Sequence, residues 1–343
     1  MKSSLERKEK ENVIMLINAG SPRSTELTQV KQYLSVYLTD KHVIQLPFLL
    51  RHLLVRLFIV PRRARLAQRR YMRLCQQNHG AFPLISTMLS LAKKLEFTLN
   101  TPVYMASRFG QYDIKTQLFI IHKKHPEVKK IIAIPLYPQS TDSCTTTAVE
   151  HLRKCAKKLV PKASIQIIAP YYQSEHYYAA LSQTIQPYLS SKFERLLVSF
   201  HSIPLSHLRC SCAKDSDIAC TDCAKTPCYK CQCEFSFHKI CALANIPKNK
   251  IELVYQSQMR SGGEWLGPKL HERLSTLAQE GARNILVICP GFCCDCLETL
   301  DEIAITAKDT FLAAGGRKLE LVPCLNDSPA AIQLLTALLQ NTC

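Results

Sequence analysis

The chain has 343 residues, of which 47% are hydrophobic and 21% are charged, a balance typical of globular proteins. This composition excludes a disordered chain and a fibrous repeat. Lysine and arginine exceed aspartate and glutamate by 44 − 27 = 17, which favours contact with anions such as anionic lipid, nucleic acid or a carboxylated small molecule. At this length we expect one large α/β domain or two domains.

The N-terminal tail, residues 1–11, lacks the apolar core of a secretory signal and carries three glutamates, which transit peptides avoid. The chain has 17 cysteines, but disulfide scaffolds are typical of short secreted chains rather than of chains this long. We therefore expect a reducing compartment, the cytoplasm.

Apolar, β-branched runs alternate with helical segments, which predicts parallel sheets covered by helices. Seven such runs begin at Val13, Val103, Ile131, Ile165, Leu196, Ile251 and Asn284. Helical periodicity is clearest over residues 27–38 and 296–312. The predicted fold is α/β with two similar Rossmann-like halves, residues 12–172 and 173–343, and a Cys-rich insertion at 209–233.

The longest apolar stretch, residues 43–61, includes the segment 44–60, but it contains Pro47, Arg51 and Arg56 and is too polar to span a bilayer. It is either an amphipathic lip that lies on a membrane surface or an ordinary buried helix. Eight arginines between Arg51 and Arg73 alternate with apolar residues. This pattern favours a helical or membrane-facing surface over a nucleic-acid-binding tail, so no nucleic-acid partner is expected.

Candidate catalytic residues follow two of the predicted strands, at the sheet edge where ligands of parallel sheets bind. His201 ends the strand RLLVSFH, a position where a lone histidine is more often structural than catalytic. Asp295, Glu298 and Glu302 have spacings of three and four, which places them on one face of the predicted helix. They are either the acids that favour a helix N-terminus or a path for a divalent cation or protons towards the imidazole.

Eight of the cysteines fall between Cys210 and Cys241, a density that indicates metal binding in a reducing compartment. Two C-x-x-C pairs, which begin at Cys220 and Cys228, suit structural zinc, although the spacing between them is short for a zinc ribbon. Thiolates equally suit an iron–sulfur cluster, and an empty redox-active insertion is the third alternative.

Four motifs resemble the ferrochelatase family: PLYPQ, VSFHSIP, YQSQMRSGGEWLGP and CPGFCCDCLETLDEI. The match runs in consistent order from about Asn12 to Pro329. The resemblance implies two chelatase-type halves and a lyase that inserts Fe²⁺ into a porphyrin, protoporphyrin IX, in the last steps of heme synthesis. Coproporphyrin is not distinguished as a substrate. A related chelatase for another metal such as cobalt is the first alternative, and a basic Cys-rich zinc-module nucleic-acid binder is the second. The oligomeric state is open, with a homodimer among the possibilities.

The resemblance also implies residue roles. His201 matches the active-site histidine that receives pyrrole protons or holds the incoming metal, Glu298 matches an essential glutamate, and Asp295 and Glu302 match acids that continue towards the metal. At Cys296 the chain departs from relatives that have histidine. The residues implied to bind the porphyrin are Arg62 or Arg63 for a propionate, together with Tyr71, Arg108, Tyr137 and Trp265. Judged singly, Trp265 and Tyr71 would be core residues, and Arg62 and Arg63 solvated charges.

Some members of the family hold a 2Fe-2S cluster, and the resemblance implies its ligands here. They are Cys231 and Cys233, the distant Cys144, and Cys223 or its competitor Cys228. A self-contained zinc site would not use Cys144. The resemblance further implies that the lip, residues 44–60, meets a membrane, which would make the protein peripheral on its inner face.

Overall fold

The computed structural model describes residues 11–208, 228–258 and 263–341. These residues form two compact units. Unit 1 contains the described residues up to 137, together with 141–169 and those from 335 onwards, and unit 2 contains 138–140 and those from 170 to 334. The main division therefore falls between Ala169 and Pro170, three residues before the boundary predicted from the sequence, which lies between residues 172 and 173.

Each unit contains a four-stranded, wholly parallel sheet. In unit 1 the strands are β1 (Asn12–Asn18), β2 (Val103–Ser107), β3 (Lys130–Pro135) and β4 (Ser164–Ile167). In unit 2 they are β5 (Arg195–His201), β6 (Ile251–Gln256), β7 (Asn284–Ile288) and β8 (Lys318–Leu321). The strand orders, β2-β1-β3-β4 and β6-β5-β7-β8, follow the same plan. The predicted α/β fold of two similar halves is confirmed.

Helices cover the strands and account for their continuous apolar sequences. The α-helices of unit 1 are α1 (Leu27–Leu38), α2 (Phe48–Leu53), α3 (Val60–Gln77), α4 (Pro83–Leu99), α5 (Ile114–Lys124) and α6 (Thr147–Leu159). Those of unit 2 are α7 (Glu175–Leu189), α8 (Tyr229–Ala244), α9 (Leu270–Gln279) and α10 (Lys308–Ala313). The last helix, α11 (Pro329–Gln340), begins in unit 2, and its residues from Leu335 belong to unit 1.

Three segments of the described chain are π-helices, in which the hydrogen bonds close over five residues instead of four. They are Leu54–Ile59, Asp142–Thr146 and Leu297–Ala307. The third is the N-terminal part of the helix predicted at residues 296–312. Its length of 11 residues is unusual, because π-helices mostly occur as single turns, frequently at functional sites.

The core of unit 2 fixes one side of this third π-helix. Ile303 and Ala307 are fully buried and pack in a cluster with Leu270, Leu274 and residues of β5 to β8. Buried Thr299, Ile303 and Ala307 recur every four residues, which suits a helix with slightly more than four residues per turn. Glu298 and Glu302, each one residue before a member of this buried row, are only partly buried.

Candidate active site

The ring of His201 is held in one tautomer by its own main chain. His201 is the last residue of β5, and its Nδ1 lies 2.5 Å from the carbonyl oxygen of Ser202. Because a carbonyl can only accept, Nδ1 donates, and the neutral ring keeps its lone pair on Nε2. The hydroxyl of Tyr229 donates to the carbonyl oxygen of His201 at 2.8 Å. His201 therefore presents Nε2 as a base or a metal ligand.

Glu298 lies in the first turn of the π-helix, two residues after its N-cap residue Cys296. The cap is reciprocal, because the Cys296 side chain accepts from the Thr299 amide while Thr299 Oγ1 accepts from the Cys296 amide at 3.0 Å. Burial raises the pKa of the Cys296 thiol well above its usual value, and the charge of the hydrogen-bonded Glu298 carboxylate adds to this shift. The carboxylate of Glu298 thus has a protonated thiol beside it.

Asp295 precedes the helix and is 7% exposed. Its carboxylate accepts from Thr299 Oγ1 at 2.8 Å, from Asn326 Nδ2 at 2.7 Å and from the Cys324 amide at 3.3 Å. These bonds connect the loop after β7 to the chain that follows β8. The Asp295 carboxylate therefore already has three protein donors, which favours a structural role over metal binding.

Glu302 holds the end of β6. Its carboxylate accepts from the amide and the hydroxyl of Ser257 at 2.6 and 2.7 Å. Ser257 has a φ of +66°, in the left-handed region that non-glycine residues rarely adopt. Within residues 11–208, 228–258 and 263–341, no group of three or more His, Cys, Asp or Glu side chains is arranged to hold a metal ion.

The arginine and tyrosine residues implied to bind porphyrin in unit 1 differ in how many contacts they already make within the protein. Arg108 pairs with Asp40 at 2.5 Å and donates to Thr147 Oγ1 at 2.8 Å. Burial lowers the pKa of Arg108, and Asp40 opposes that shift. Tyr71 is 7% exposed and packs between the rings of Tyr33 and Phe82. These contacts agree with the alternative that Tyr71 is a core residue.

Arg62, by contrast, is exposed at the start of α3, where it donates to the Phe58 carbonyl at 3.0 Å and lies over the Phe58 ring. Arg63 and Tyr137 are partly buried. In unit 2, Trp265 is also partly buried and forms an antiparallel bridge with Pro204. Its indole nitrogen is buried and has no hydrogen-bond partner among the described residues.

Two of the predicted cluster cysteines lie at the start of α8. Cys228 is the N-cap residue, and its Sγ is 3.7 Å from Sγ of Cys231. Cys233 is fully buried, and burial raises its pKa well above the usual value. Because Cys233 follows Cys231 by two helical positions, their side chains point about 200° apart around the axis. Cys144 lies in the π-helix Asp142–Thr146 of unit 1, and Cys223 lies outside the described residues.

Residues 44–60 present an exposed apolar surface, which argues against the buried-helix alternative. Six large apolar side chains of this lip are each more than half exposed: Phe48, Leu49, Leu50, Leu53, Leu57 and Phe58. Arg51 is buried instead and donates to the carbonyl of Leu46 at 2.7 Å. No helix in the described part of the chain has the length and apolarity needed to cross a bilayer.

Sequence reasoning assigned no role to Gln256 and Ser257, although both stand in the motif YQSQMRSGGEWLGP. Gln256 is 1% exposed and contacts β5, the residue after β7 and the π-helix. Their position in the sequence could have indicated a role, since polar residues at the end of a buried strand lie at the edge of a parallel sheet where ligands bind.

Comparison with known structures defines the class of fold. The chain aligns with SirB from Bacillus subtilis with Fe³⁺ at a TM-score of 0.53 and 11% identity, over 97% of this chain and 95% of that one. The two parallel four-stranded sheets, the second with His201 at the end of one strand and Glu298 in the helix after another, thus have a chelatase-type fold.

Sequence comparison defines the family. A family model described as Ferrochelatase matches residues 11–343. The ferrochelatase of Porphyromonas gingivalis is 36% identical over 336 residues, covering 96% of each chain, and that of Pseudomonas syringae pv. tomato is 34% identical over 326 residues, covering 93% of this chain and 94% of the relative. The chain belongs to the ferrochelatase family. The predictions of the family and of a lyase of this class are confirmed.

Proposed function

We propose that this chain inserts Fe²⁺ into protoporphyrin IX to form heme, and that His201 and Glu298 perform the chemistry. The observation that most directly supports this proposal is the fixed tautomer of His201, in which Nδ1 donates its proton to a carbonyl while Nε2 keeps its lone pair. A neutral imidazole in this state can take a proton from a pyrrole nitrogen or bind the incoming ion.

The reaction has demands that these residues can meet. Insertion must remove two pyrrole protons and strip water from Fe²⁺. Nε2 of His201 accepts a proton, and the carboxylate of Glu298 supplies an oxygen ligand during dehydration and a second proton acceptor. Glu302, already bonded to Ser257, positions the helix that carries Glu298. Fe²⁺ is a substrate that leaves with the porphyrin, so a closed protein site is not needed.

The test is anaerobic insertion of Fe²⁺, and in parallel of Co²⁺, into protoporphyrin IX and coproporphyrin by the wild type, His201→Ala and Glu298→Gln. We expect protoporphyrin IX to be the better substrate and each variant to lose about 100-fold or more in kcat. The matched controls are His238→Ala and Glu272→Gln, both at exposed positions, which should keep wild-type rates. Full activity in His201→Ala would refute the assignment, and exclusive insertion of Co²⁺ would favour the cobalt alternative.

For porphyrin recognition we propose that exposed Arg62, with Arg63 beside it, pairs with a propionate, since guanidinium groups bind carboxylates in a bidentate fashion. Arg108 already has Asp40 as its carboxylate partner. We therefore expect Arg62→Ala to raise the KM for porphyrin by about tenfold. Arg69→Ala, which removes another exposed arginine of α3, is the control, and equal KM values in the two variants would contradict the pairing.

We further propose that Cys228 and Cys231 are two ligands of a 2Fe-2S cluster, with Cys144 and Cys223 as the other thiolates. Two thiolates on one tetrahedral ion at about 2.3 Å lie about 3.8 Å apart, and the two sulfurs here are separated by 3.7 Å. The N-terminus of α8 also favours thiolates. Buried Cys233, on another side of the helix, suits this role less well than Cys228.

The iron, zinc and sulfide content of the anaerobically purified protein, with its visible spectrum, tests the metal centre. Cys228→Ser should lose the metal, and Cys241→Ser, a change further along α8, should keep it. Cys144→Ser separates the alternatives, because a cluster loses iron in that variant whereas zinc held within 209–233 stays bound. A colourless wild type with one zinc would overturn the cluster.

We also propose that the lip binds the surface of an anionic membrane. Its exposed leucines and phenylalanines lie next in sequence to α3, where Arg62, Arg65 and Arg69 are exposed, a combination typical of interfacial helices. Leu49→Ser with Leu57→Ser should abolish co-sedimentation with phosphatidylglycerol-containing vesicles. Val36→Ser, at another half-exposed apolar position, should not change it, and unaltered binding of the double variant would refute the proposal.

A further inference from the structure

Gln256 connects the strand that ends at His201 to the helix that carries Glu298. It is the last residue of β6, lies opposite His201 in the β5–β6 register and is 1% exposed. Its Nε2 donates to the main-chain carbonyl of Glu298 at 2.8 Å. Its Oε1 accepts from Ser199 Oγ, on β5, at 2.7 Å.

Gln256 accepts two further hydrogen bonds, one at its side-chain oxygen and one at its main-chain carbonyl. Sγ of Cys289, the residue after β7, donates to Gln256 Oε1 at 3.3 Å. The main-chain carbonyl of Gln256 accepts from the Ser202 amide at 2.8 Å. One buried carboxamide therefore joins three neighbouring strand ends to a single peptide group of the π-helix, and a polar group so deeply buried is costly to leave without these partners.

Ser257, the next residue, holds the same turn of the helix at its other end. Its amide and hydroxyl bind the Glu302 carboxylate, so the chain from Gln256 to Ser257 contacts the main chain at Glu298 and the side chain at Glu302. A π-helix as long as this one is rarely stable by itself. Contacts from outside the helix must therefore stabilise the π-helical conformation. The contacts from Gln256 and Ser257 lie on the turn that carries Glu298.

We propose that Gln256 is a positioning residue that sets where the Glu298 carboxylate stands relative to His201, with Ser257 as the second anchor. The inference rests on the proposed roles of His201 and Glu298 and extends them. A misplacement of about 1 Å in a catalytic group can cost about 100-fold in rate. Loss of the anchor should therefore reduce kcat and the affinity for Fe²⁺ while the porphyrin KM stays unchanged.

The primary variant is Gln256→Met, which preserves side-chain volume and removes every polar contact of the carboxamide. We expect kcat to fall by about 10- to 100-fold, the KM for Fe²⁺ to rise, and the KM for porphyrin to remain within about twofold. Gln117→Met, at another buried glutamine on α5, is the matched control and should keep wild-type kinetics. A Gln256→Met enzyme with wild-type kcat and iron KM would overturn the inference.

Hydrogen–deuterium exchange gives a readout that needs no activity. The amides of residues 297–303 should exchange at least about tenfold faster in Gln256→Met than in the wild type. Ser257→Ala, which removes only one hydroxyl and is expected to fold, should show a smaller increase in the same segment, and unchanged exchange in both variants would refute the anchoring. If exchange rises but His201→Ala and Glu298→Gln remain active, the anchor stands and the proposed function fails.

Discussion

Replacement of Asp295 distinguishes a structural brace from a metal ligand. In Asp295→Ala the Asn326 side-chain amide and the Cys324 main-chain amide lose their common acceptor, and Thr299 loses another. An unsatisfied buried donor costs about 1–3 kcal/mol. Counting the two amides, and allowing for partial relaxation, we expect the free energy of unfolding to fall by about 2–4 kcal/mol. Asp295→Asn, which keeps one acceptor oxygen, should lose about half as much.

The assay is urea unfolding of both variants, together with their kinetics for Fe²⁺. A structural role predicts lower urea midpoints and an iron KM for Asp295→Asn within about threefold of the wild type. Glu298→Gln should show the opposite pattern, with stability close to that of the wild type and strongly reduced turnover. If Asp295→Asn is as stable as the wild type but its iron KM rises at least about tenfold, Asp295 is a metal ligand and the reasoning is wrong.

Two further predictions concern unit 1. Gly20→Ala should lower the free energy of unfolding by at least about 3 kcal/mol, because a Cβ would lie 2.0 Å from the Phe109 carbonyl oxygen at a φ of +101°. The control Gly281→Ala, with a φ of +95° and open space around the added Cβ, should lower it by only about 1–2 kcal/mol. Equal urea midpoints for the two variants would contradict this prediction. Burial lowers the pKa of His151 from 6.5 to about 4, and the charge of Arg108 contributes to this shift. Below pH 6.5 the unfolded chain therefore binds a proton at this residue, whereas the folded protein binds it only near pH 4. The stability of the wild type should therefore decrease as the pH falls through this range, and His151→Gln should show a shallower decrease, whereas parallel stability curves would refute the assignment.

The fold could be predicted from the sequence because most strands are buried on both faces and stand out as apolar runs. The strand that no apolar run indicates is β8, an edge strand of four residues in which Lys318 and Glu320 alternate with leucines. Such a short alternating segment gives little signal. The repeated plan of the two sheets was visible for the same reason, since β1 and β5 are central and continuously apolar.

The candidate site could be predicted only in part. Position and resemblance indicate His201 and Glu298 as candidates, but the shared face predicted for the three acids assumes an α-helix, and the structure has a π-helix there. The π-helix receives hydrogen bonds from Gln256 and Ser257, about 40 residues earlier in the chain, and local spacing does not reveal these contacts. The role of Asp295 likewise depends on Asn326, 31 residues away, and no local pattern contains that pairing.

The bond from Tyr229 to His201 has a consequence for how the cysteines affect catalysis. Tyr229 directly follows Cys228, and its hydroxyl binds the carbonyl of His201, whose ring is the proposed base. Oxidation of the Cys228 and Cys231 thiols, or loss of what they bind, would move the first turn of α8 and, with it, this hydroxyl. Chemical damage to the thiol pair should therefore be detectable as a change in the NMR chemical shifts of the His201 ring, even when the porphyrin and the iron are absent.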